Sequence, residues 1–201
     1  MLSVSDAGRA TSQKAALRAS ALACRNGLGE RWRAEASARI TAGAWPLVEA
    51  AAPSVVSAYL PRASECDPRG LIGRARGAGM TVVLPAAISG TAMVFRRYDD
   101  GAPLAAGGFG TLAPTPDMPV LDPDLMLVPL VAFDRTGGRL GNGRGFYDRA
   151  LAAMQARGVT PKLVGIAFSV QEVRSIPVEP HDMPLDRIVT EKETIIPGGG
   201  K

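Results

Sequence analysis

Between Asp134 and Asp148 the chain runs Asp-Arg-Thr-Gly-Gly-Arg-Leu-Gly-Asn-Gly-Arg-Gly-Phe-Tyr-Asp, and five of the nine residues from Gly137 to Gly145 are glycine. Glycines allow successive backbone N–H groups to turn toward one point without side-chain clash. A helix predicted to start at Phe146 adds the partial positive charge of its N-terminus. Together these suit a phosphate, and Arg139 and Arg144 within the loop can add charge-assisted hydrogen bonds to its oxygens. The common nucleotide motifs do not fit. No Gly-x-x-x-x-Gly-Lys-Ser/Thr string occurs, and Phe146 stands where a dinucleotide fingerprint needs its last glycine. Asp148, in the first turn of the expected helix, is either a carboxylate answering the helix dipole or, beside a phosphate, a ligand for Mg²⁺. Asp182 offers the same choice between a solvated loop acid and a metal ligand, in a segment stiffened by Pro177, Pro180 and Pro184. Lys14 and Arg18, four apart, share one face of an early helix. They form either a solvated pair or a clamp for a triphosphate.

Composition narrows the chemistry. The 201 residues include one histidine, His181, and two cysteines, Cys24 and Cys66. A three-histidine zinc site is therefore excluded, and any metal should be a hard ion held by carboxylates. Cys24 lies on an apolar helical stripe with Leu17, Ala21 and Leu28 and reads as a core thiol. Cys66, between Glu65 and Asp67, is expected to have its thiol pKa raised by like charge. Basic residues exceed acidic ones by 23 to 19. That mild, scattered excess suits an anionic small substrate better than nucleic acid, for which no basic patch with interleaved aromatics exists. The longest apolar run, Leu125 to Phe133, is nine residues and too short to cross a bilayer. With no secretory leader at the N-terminus, the cytosol is the expected compartment.

Positioning these residues requires a scaffold. Helical spacing predicts a helix over 11–29 and a second from Glu30 to about Ala44, ended or kinked by Pro46. Ser54 to Leu60 reads as a strand, and Asp67-Pro68 opens a helix that reaches Gly77. Met80–Leu84 and Met93–Tyr98 read as strands. An irregular segment is expected over 107–123. Leu125–Phe133 then reads as one continuous strand buried on both faces of a parallel sheet. A helix over 146–157 and a strand over 162–168 follow. Strands alternating with helices make an α/β layered sheet, in one domain over 1–201 with loose ends at 1–10 and 197–201.

Val128-Pro129-Leu130-Val131-Ala132-Phe133-Asp134, followed by Arg139-Leu140-Gly141-Asn142-Gly143-Arg144-Gly145-Phe146-Tyr147-Asp148, resembles the hallmark of the 5-formyltetrahydrofolate cyclo-ligases, also called 5,10-methenyltetrahydrofolate synthetases. The likeness covers nearly the whole chain. Lys14-Ala15-Ala16-Leu17-Arg18, Tyr59-Leu60-Pro61 with Glu65, Met93-Val94-Phe95, Phe109-Gly110, Ile176-Pro177, His181-Asp182 and Ile188-Val189-Thr190-Glu191 follow in the family's order. Phe146 replaces the first of the family's usual tyrosines, Asn142 stands at a place that is often aromatic, and Ala113 stands where relatives carry an acid.

The resemblance implies a three-layer α/β/α fold with a mostly parallel sheet, of the kind shared with sugar-phosphate isomerases and CoA transferases. It also implies an enzyme that uses ATP and Mg²⁺ to convert 5-formyltetrahydrofolate to 5,10-methenyltetrahydrofolate, releasing ADP and phosphate. Carried over position by position, Lys14, Arg18, Arg139, Leu140, Gly141, Asn142, Gly143, Arg144, Gly145, Phe146 and Tyr147 would bind ATP. Leu60 and Glu65 would bind the folate, together with Asn142 to Phe146. Arg144 would lie closest to the transferred phosphoryl group, and Asp148 and Asp182 would hold Mg²⁺. Neither nucleic acid, membrane nor partner chain is called for, a monomer being the favoured state. The alternative is a relative that keeps the fold and an anion pocket but no catalysis, suggested by Phe146 and Ala113. The joint presence of Lys14, Arg144, Asp148 and Asp182 argues against it.

Overall fold

The apolar run that begins after Asp124 lies at the centre of a seven-stranded sheet. The structure is a computed structural model and describes residues 4–90, 92–108, 110–179 and 182–198. Phe109, His181 and the last three residues lie outside the described residues. The helices are α1 (Val4–Asn26), α2 (Glu30–Ala51), α3 (Arg69–Gly77) and α4 (Phe146–Gln155). The strands are β1 (Val55–Ser57), β2 (Thr81–Ser89), β3 (Ala92–Arg97), β4 (Leu104–Ala106), β5 (Leu112–Pro114), β6 (Leu125–Pro129), β7 (Ala132–Phe133), β8 (Arg139–Leu140), β9 (Lys162–Ile166), β10 (Arg187–Val189) and β11 (Thr194–Ile195). The main sheet has the order β11-β10-β9-β6-β1-β2-β3. Its five inner strands run parallel, while β3 and β11 pair antiparallel at the two edges. The sheet is therefore mixed and mostly parallel, with helices on both faces.

Alternation along the strands separates the two cores. Leu125 and Leu127 point to the side where Ile40 of α2 and Leu71 and Ile72 of α3 pack. Met126 and Val128 point to the other side, against Leu151 and Met154 of α4. A strand buried on both sides must be apolar at every position, which is why β6 reads as an unbroken hydrophobic run. That run is nevertheless not one strand. Pro129 has no N–H to give to the ladder, so β6 ends there and Ala132–Phe133 pair instead with Arg139–Leu140 in a separate hairpin. α1 packs across this hairpin through Leu17 and Ala21 against Val131, Ala132 and Leu140.

Several expected boundaries shift. α1 starts at Val4, seven residues before the expected start of the first helix. α2 passes through Pro46 and stops at Ala52, in the left-handed region at φ 44. Burial of Ala44 and Val48 against the sheet holds the extra turns despite the missing N–H. The 54–60 strand shrinks to three residues, β2 runs on to Ser89 against β3, and the segment expected to be irregular contains β5. The short strands β10 and β11 carry too few residues for a periodic signal.

Cys24 is exposed, against the expectation of a core thiol. The face that α1 turns inward is defined by Lys14, Ala21 and Arg25, each of which is buried. The helix buries cations along with its apolar residues, and Cys24 falls beside that face. Among the described residues no helix is long and apolar enough to cross a membrane.

Candidate functional site

A cavity of about 430 Å³ opens where β1, β2 and β6 deliver the chain at their carboxyl-terminal ends. Tyr59 and Leu60 come from the loop after β1, Pro85 and Ala87 from the second half of β2, and Pro129 from the last position of β6. This is the edge at which open parallel sheets bind ligands. Every residue to which the family resemblance gave a binding or metal role lines this one cavity: Lys14, Arg18, Leu60, Glu65, Arg139 through Tyr147, Asp148 and Asp182.

The glycine loop is built by a buried carboxylate. Asp134 accepts from the N–H groups of Thr136 (2.9 Å) and Gly138 (3.0 Å) through Oδ1, and from that of Ile176 (2.7 Å) through Oδ2. Gly138 lies so close that a Cβ there would stand 2.7 Å from Asp134 Oδ2. A side chain at this position would break the turn that aims β8 at the cavity. At the other end of the loop Gly145 precedes α4 at φ 62, a conformation that costs other residues about 1–2 kcal/mol. α4 thus begins with its N-terminus at the cavity wall. Arg149, one turn on, sits with its guanidinium carbon 5.6 Å from the Phe146 ring centroid and donates to the Arg144 carbonyl.

Charges at the deep end are paired inside the protein. Lys14, almost fully buried, donates from Nζ to Glu179 Oε2 (2.5 Å) and to Asp182 Oδ2 (2.7 Å). Burial works to lower its pKa, but hydrogen bonds and charge from Asp182 and Glu179 outweigh burial and hold the ammonium above its ordinary value. Glu179 and Asp182 are also bonded to each other, the Glu179 N–H donating to Asp182 Oδ2 (2.9 Å) and the Asp182 N–H to the Glu179 carbonyl (2.9 Å). Arg139 donates from Nη2 to Asp148 Oδ1 at 2.5 Å, while its own Nε is buried with no hydrogen-bond partner among the described residues. Arg18 donates from Nε to the Gly141 carbonyl (2.9 Å), tying α1 to the loop.

The opposite end is less charged. Tyr59 is buried and donates from Oη to the Cys66 carbonyl (2.9 Å). Glu65 accepts from the Arg62 N–H (3.0 Å), and burial pushes its carboxyl pKa up, with Arg62 and Arg25 pulling the other way. Cys66 is pushed up to about 12, and burial, not the neighbouring acids, is the larger cause. The Tyr147 hydroxyl is buried with no hydrogen-bond partner among the described residues, and burial raises its pKa.

Two carboxylates of the lining, Asp148 and Asp182, are of the kind that suits a hard cation taking one or two protein ligands and completing its shell with phosphate oxygens and water. Among the described residues no group of three or more His, Cys, Asp and Glu side chains is placed to hold a metal by itself. Glu179, Tyr59, Arg62 and Arg149 are among the lining residues to which the sequence reading gave no role. Glu179 could have been found as the acid three residues before Asp182 in the same proline-stiffened segment. Tyr59 and Arg62 flank the Leu60-Pro61 pair, and Arg149 follows Asp148 directly. Ala113 is buried outside the cavity lining, so only Phe146 and Asn142, of the three departures noted above, touch the site.

A model of the 5-formyltetrahydrofolate cyclo-ligase family matches residues 10–191. A 5-formyltetrahydrofolate cyclo-ligase of Mycolicibacterium smegmatis is 34% identical over 150 residues, which cover 70% of this chain and 75% of the relative. One from Haemophilus influenzae is 39% identical over 97 residues, covering 46% of this chain and 51% of the relative, about half its length. The solved structure of Aquifex aeolicus 5,10-methenyltetrahydrofolate synthetase superposes with a TM-score of 0.77 at 30% identity, covering 94% of each chain.

Proposed function

The chain belongs to the 5-formyltetrahydrofolate cyclo-ligase family, and on that premise we propose that it converts 5-formyltetrahydrofolate to 5,10-methenyltetrahydrofolate by ATP-dependent phosphorylation of the formyl oxygen. One observation carries the residue assignment. Four separated stretches of sequence, around Lys14, Leu60, Arg139 and Asp182, line a single cavity at the ligand-binding edge of the sheet.

A formamide oxygen is a poor leaving group. Transfer of the γ-phosphoryl group to it breaks the bond to ADP and leaves a phosphorylated iminium carbon. The neighbouring folate nitrogen then attacks that carbon, the five-membered ring closes, and phosphate departs with the former formyl oxygen. This route needs no enzyme nucleophile. It needs two substrates held in line and charge stabilised on the moving phosphoryl group. Both cysteines lie outside the cavity lining, and the cavity instead gathers Lys14, Arg18, Arg139, Arg144 and the loop N–H groups.

In this reading Lys14, Arg18 and the Arg139–Tyr147 loop hold the triphosphate. Arg144, exposed at the cavity mouth, closes on the transferred group. Asp148 and Asp182 would hold Mg²⁺, which when bound neutralises phosphate charge. Leu60 and Glu65 take the pterin, Glu65 accepting from its N–H donors. The raised carboxyl pKa of Glu65 marks a desolvated acceptor that gains from meeting such donors. Phe146 presents a ring under Arg149 where the family's tyrosine would add a hydroxyl.

The test is direct. Pure protein supplied with 5-formyltetrahydrofolate, ATP and Mg²⁺ is expected to generate the methenyltetrahydrofolate absorbance, and to generate none when ATP is left out. No absorbance change at enzyme concentrations comparable to substrate overturns the reading.

A further inference from the structure

Lys14 is met by more acid than its charge requires. Glu179 Oε2 lies 2.5 Å from the ammonium nitrogen and Asp182 Oδ2 lies 2.7 Å from it, so one cation faces two carboxylates. The three side chains together carry a net negative charge, on a cavity lining that the proposed function gives to a triphosphate. Arg139 and Asp148, on the same lining, pair one to one. A single carboxylate neutralises an ammonium, and Asp182 already stands at hydrogen-bond distance. Glu179 is the surplus charge, and in the proposed function it holds neither metal nor substrate.

The segment that delivers Glu179 is pinned at both ends to the turn that opens the glycine loop. The Ile176 N–H donates to Asp134 Oδ2 (2.7 Å), and the Leu185 N–H donates to the Gly137 carbonyl (2.9 Å). Between these anchors the Glu179 N–H donates to Asp182 Oδ2, which sets the two acids against each other. Among the described residues the Glu179 carboxylate bonds to Lys14 alone. Its side chain is 34% exposed, against 8% for that of Lys14. A buried ammonium cannot be left without a counter-ion cheaply. Glu179 is therefore the partner that turns out to water when another anion takes the ammonium.

We propose that Glu179 is a specificity-determining residue whose charge makes the nucleotide site select the metal-bound triphosphate over the free one. The inference rests on the ATP-dependent reading and assigns a role in it to a residue outside the phosphate and metal set. A free triphosphate has to take Lys14 from two acids that then face its own negative oxygens at close range. A bound Mg²⁺ removes about two of those negative charges, and Asp182 becomes a favourable neighbour instead of a repulsive one. Glu179 then remains as the one opposing charge, and it has solvent to turn to. Without Glu179, Lys14 and Asp182 form a neutral pair, and a free triphosphate meets far less opposition.

Calorimetry on the full chain without folate, titrating ATP in Mg²⁺ and ATP in EDTA, tests this. The parent chain is expected to bind ATP at least about tenfold tighter with the metal than without it. Glu179→Gln keeps the volume and an oxygen that accepts from Lys14, and removes only the charge. In that variant metal-free ATP should bind about fivefold tighter, ~1 kcal/mol, while affinity in Mg²⁺ moves by less than about twofold. Glu179→Ala, which also lacks the charge, should narrow the metal preference in the same way, and Glu179→Asp, which restores it, should return the preference to within about twofold of the parent. No metal preference in the parent, or a preference that survives loss of the charge, overturns the role of Glu179 and leaves the cyclo-ligase reading in place. A lower melting temperature with the preference intact assigns Glu179 to structure and overturns the role as well. Failure of the parent to bind ATP in either condition overturns the ATP-dependent reading and this inference with it.

Discussion

Replacing Asp148 by Asn removes a charge and almost no volume. The structure gives the cost. Asp148 and Arg139 meet at 2.5 Å with side chains 21% and 7% exposed, and Arg139 Nε already lacks a partner. In Asp148→Asn the guanidinium stays buried with its neutralising charge gone. Breaking a fully buried pair from one side costs about 3–5 kcal/mol, and the residual exposure of Asp148 reduces this to about 2–3 kcal/mol. For a chain of this length that is a drop in Tm of roughly 5–10 °C. Scanning calorimetry and denaturant titration of Asp148→Asn measure it. The double variant Arg139→Met/Asp148→Leu, which removes both charges and keeps apolar volume, is expected to recover most of the loss. If Asp148→Asn melts within 1 °C of the parent chain, the pair contributes nothing to the fold and the argument from burial fails. The same variant reports on the metal assignment. Magnesium should increase the stabilisation that ATP confers on the parent chain and should do so far less in Asp148→Asn.

Other outcomes follow from the same geometry. The folded pKa of Lys14 lies above its ordinary 10.5, so the part of its contribution set by its own proton is complete below pH 10.5 and is lost as pH rises through the folded value; the stability gap between the parent chain and Lys14→Met, read by denaturant midpoints, should narrow as pH climbs through that alkaline range. Glu65 runs the other way for an acid: its pKa is raised from 4.5 by burial, so the ionised form costs stability as pH climbs past that value. Glu65→Gln should therefore match the parent at pH 4 and exceed it at pH 7, while folate binding measured by calorimetry weakens. Thiol titration of the native chain should count one fast cysteine, the exposed Cys24, with Cys66 reacting only on unfolding; two fast thiols would contradict the burial of Cys66.

What the sequence disclosed, it disclosed through residue type. A loop with five glycines and two arginines ahead of a helix is chemically unusual wherever it falls, so its phosphate-binding character could be read without coordinates. β6 and its neighbours were legible because burial on both faces demands apolar residues at every position. The inner face of α1 was not legible. Amphipathic reading assumes that buried means apolar, and α1 buries Lys14 and Arg25 because carboxylates, a hydroxyl and a carbonyl brought from 39 to 168 positions away receive them. The Lys14–Glu179 and Arg139–Asp148 pairs were equally hidden. Spacing can place two groups on one helix face, but it cannot show that a turn 165 residues later closes on the ammonium.

Those pairs also change what the excess of basic residues means. By residue type alone, Lys14, Arg18, Arg139 and Arg144 read as cations available to a phosphate. In the folded chain Lys14 is neutralised by Glu179 and Asp182, and Arg139 by Asp148. A triphosphate arriving alone would draw the two cations away from three carboxylates and leave those acids facing its own negative charge. A divalent cation arriving alone would displace Lys14 and Arg139 into unpaired burial. Arriving together, phosphate and metal exchange partners with the internal pairs, and no buried charge is left uncompensated. On the proposed function, the site is therefore matched to the metal–nucleotide complex.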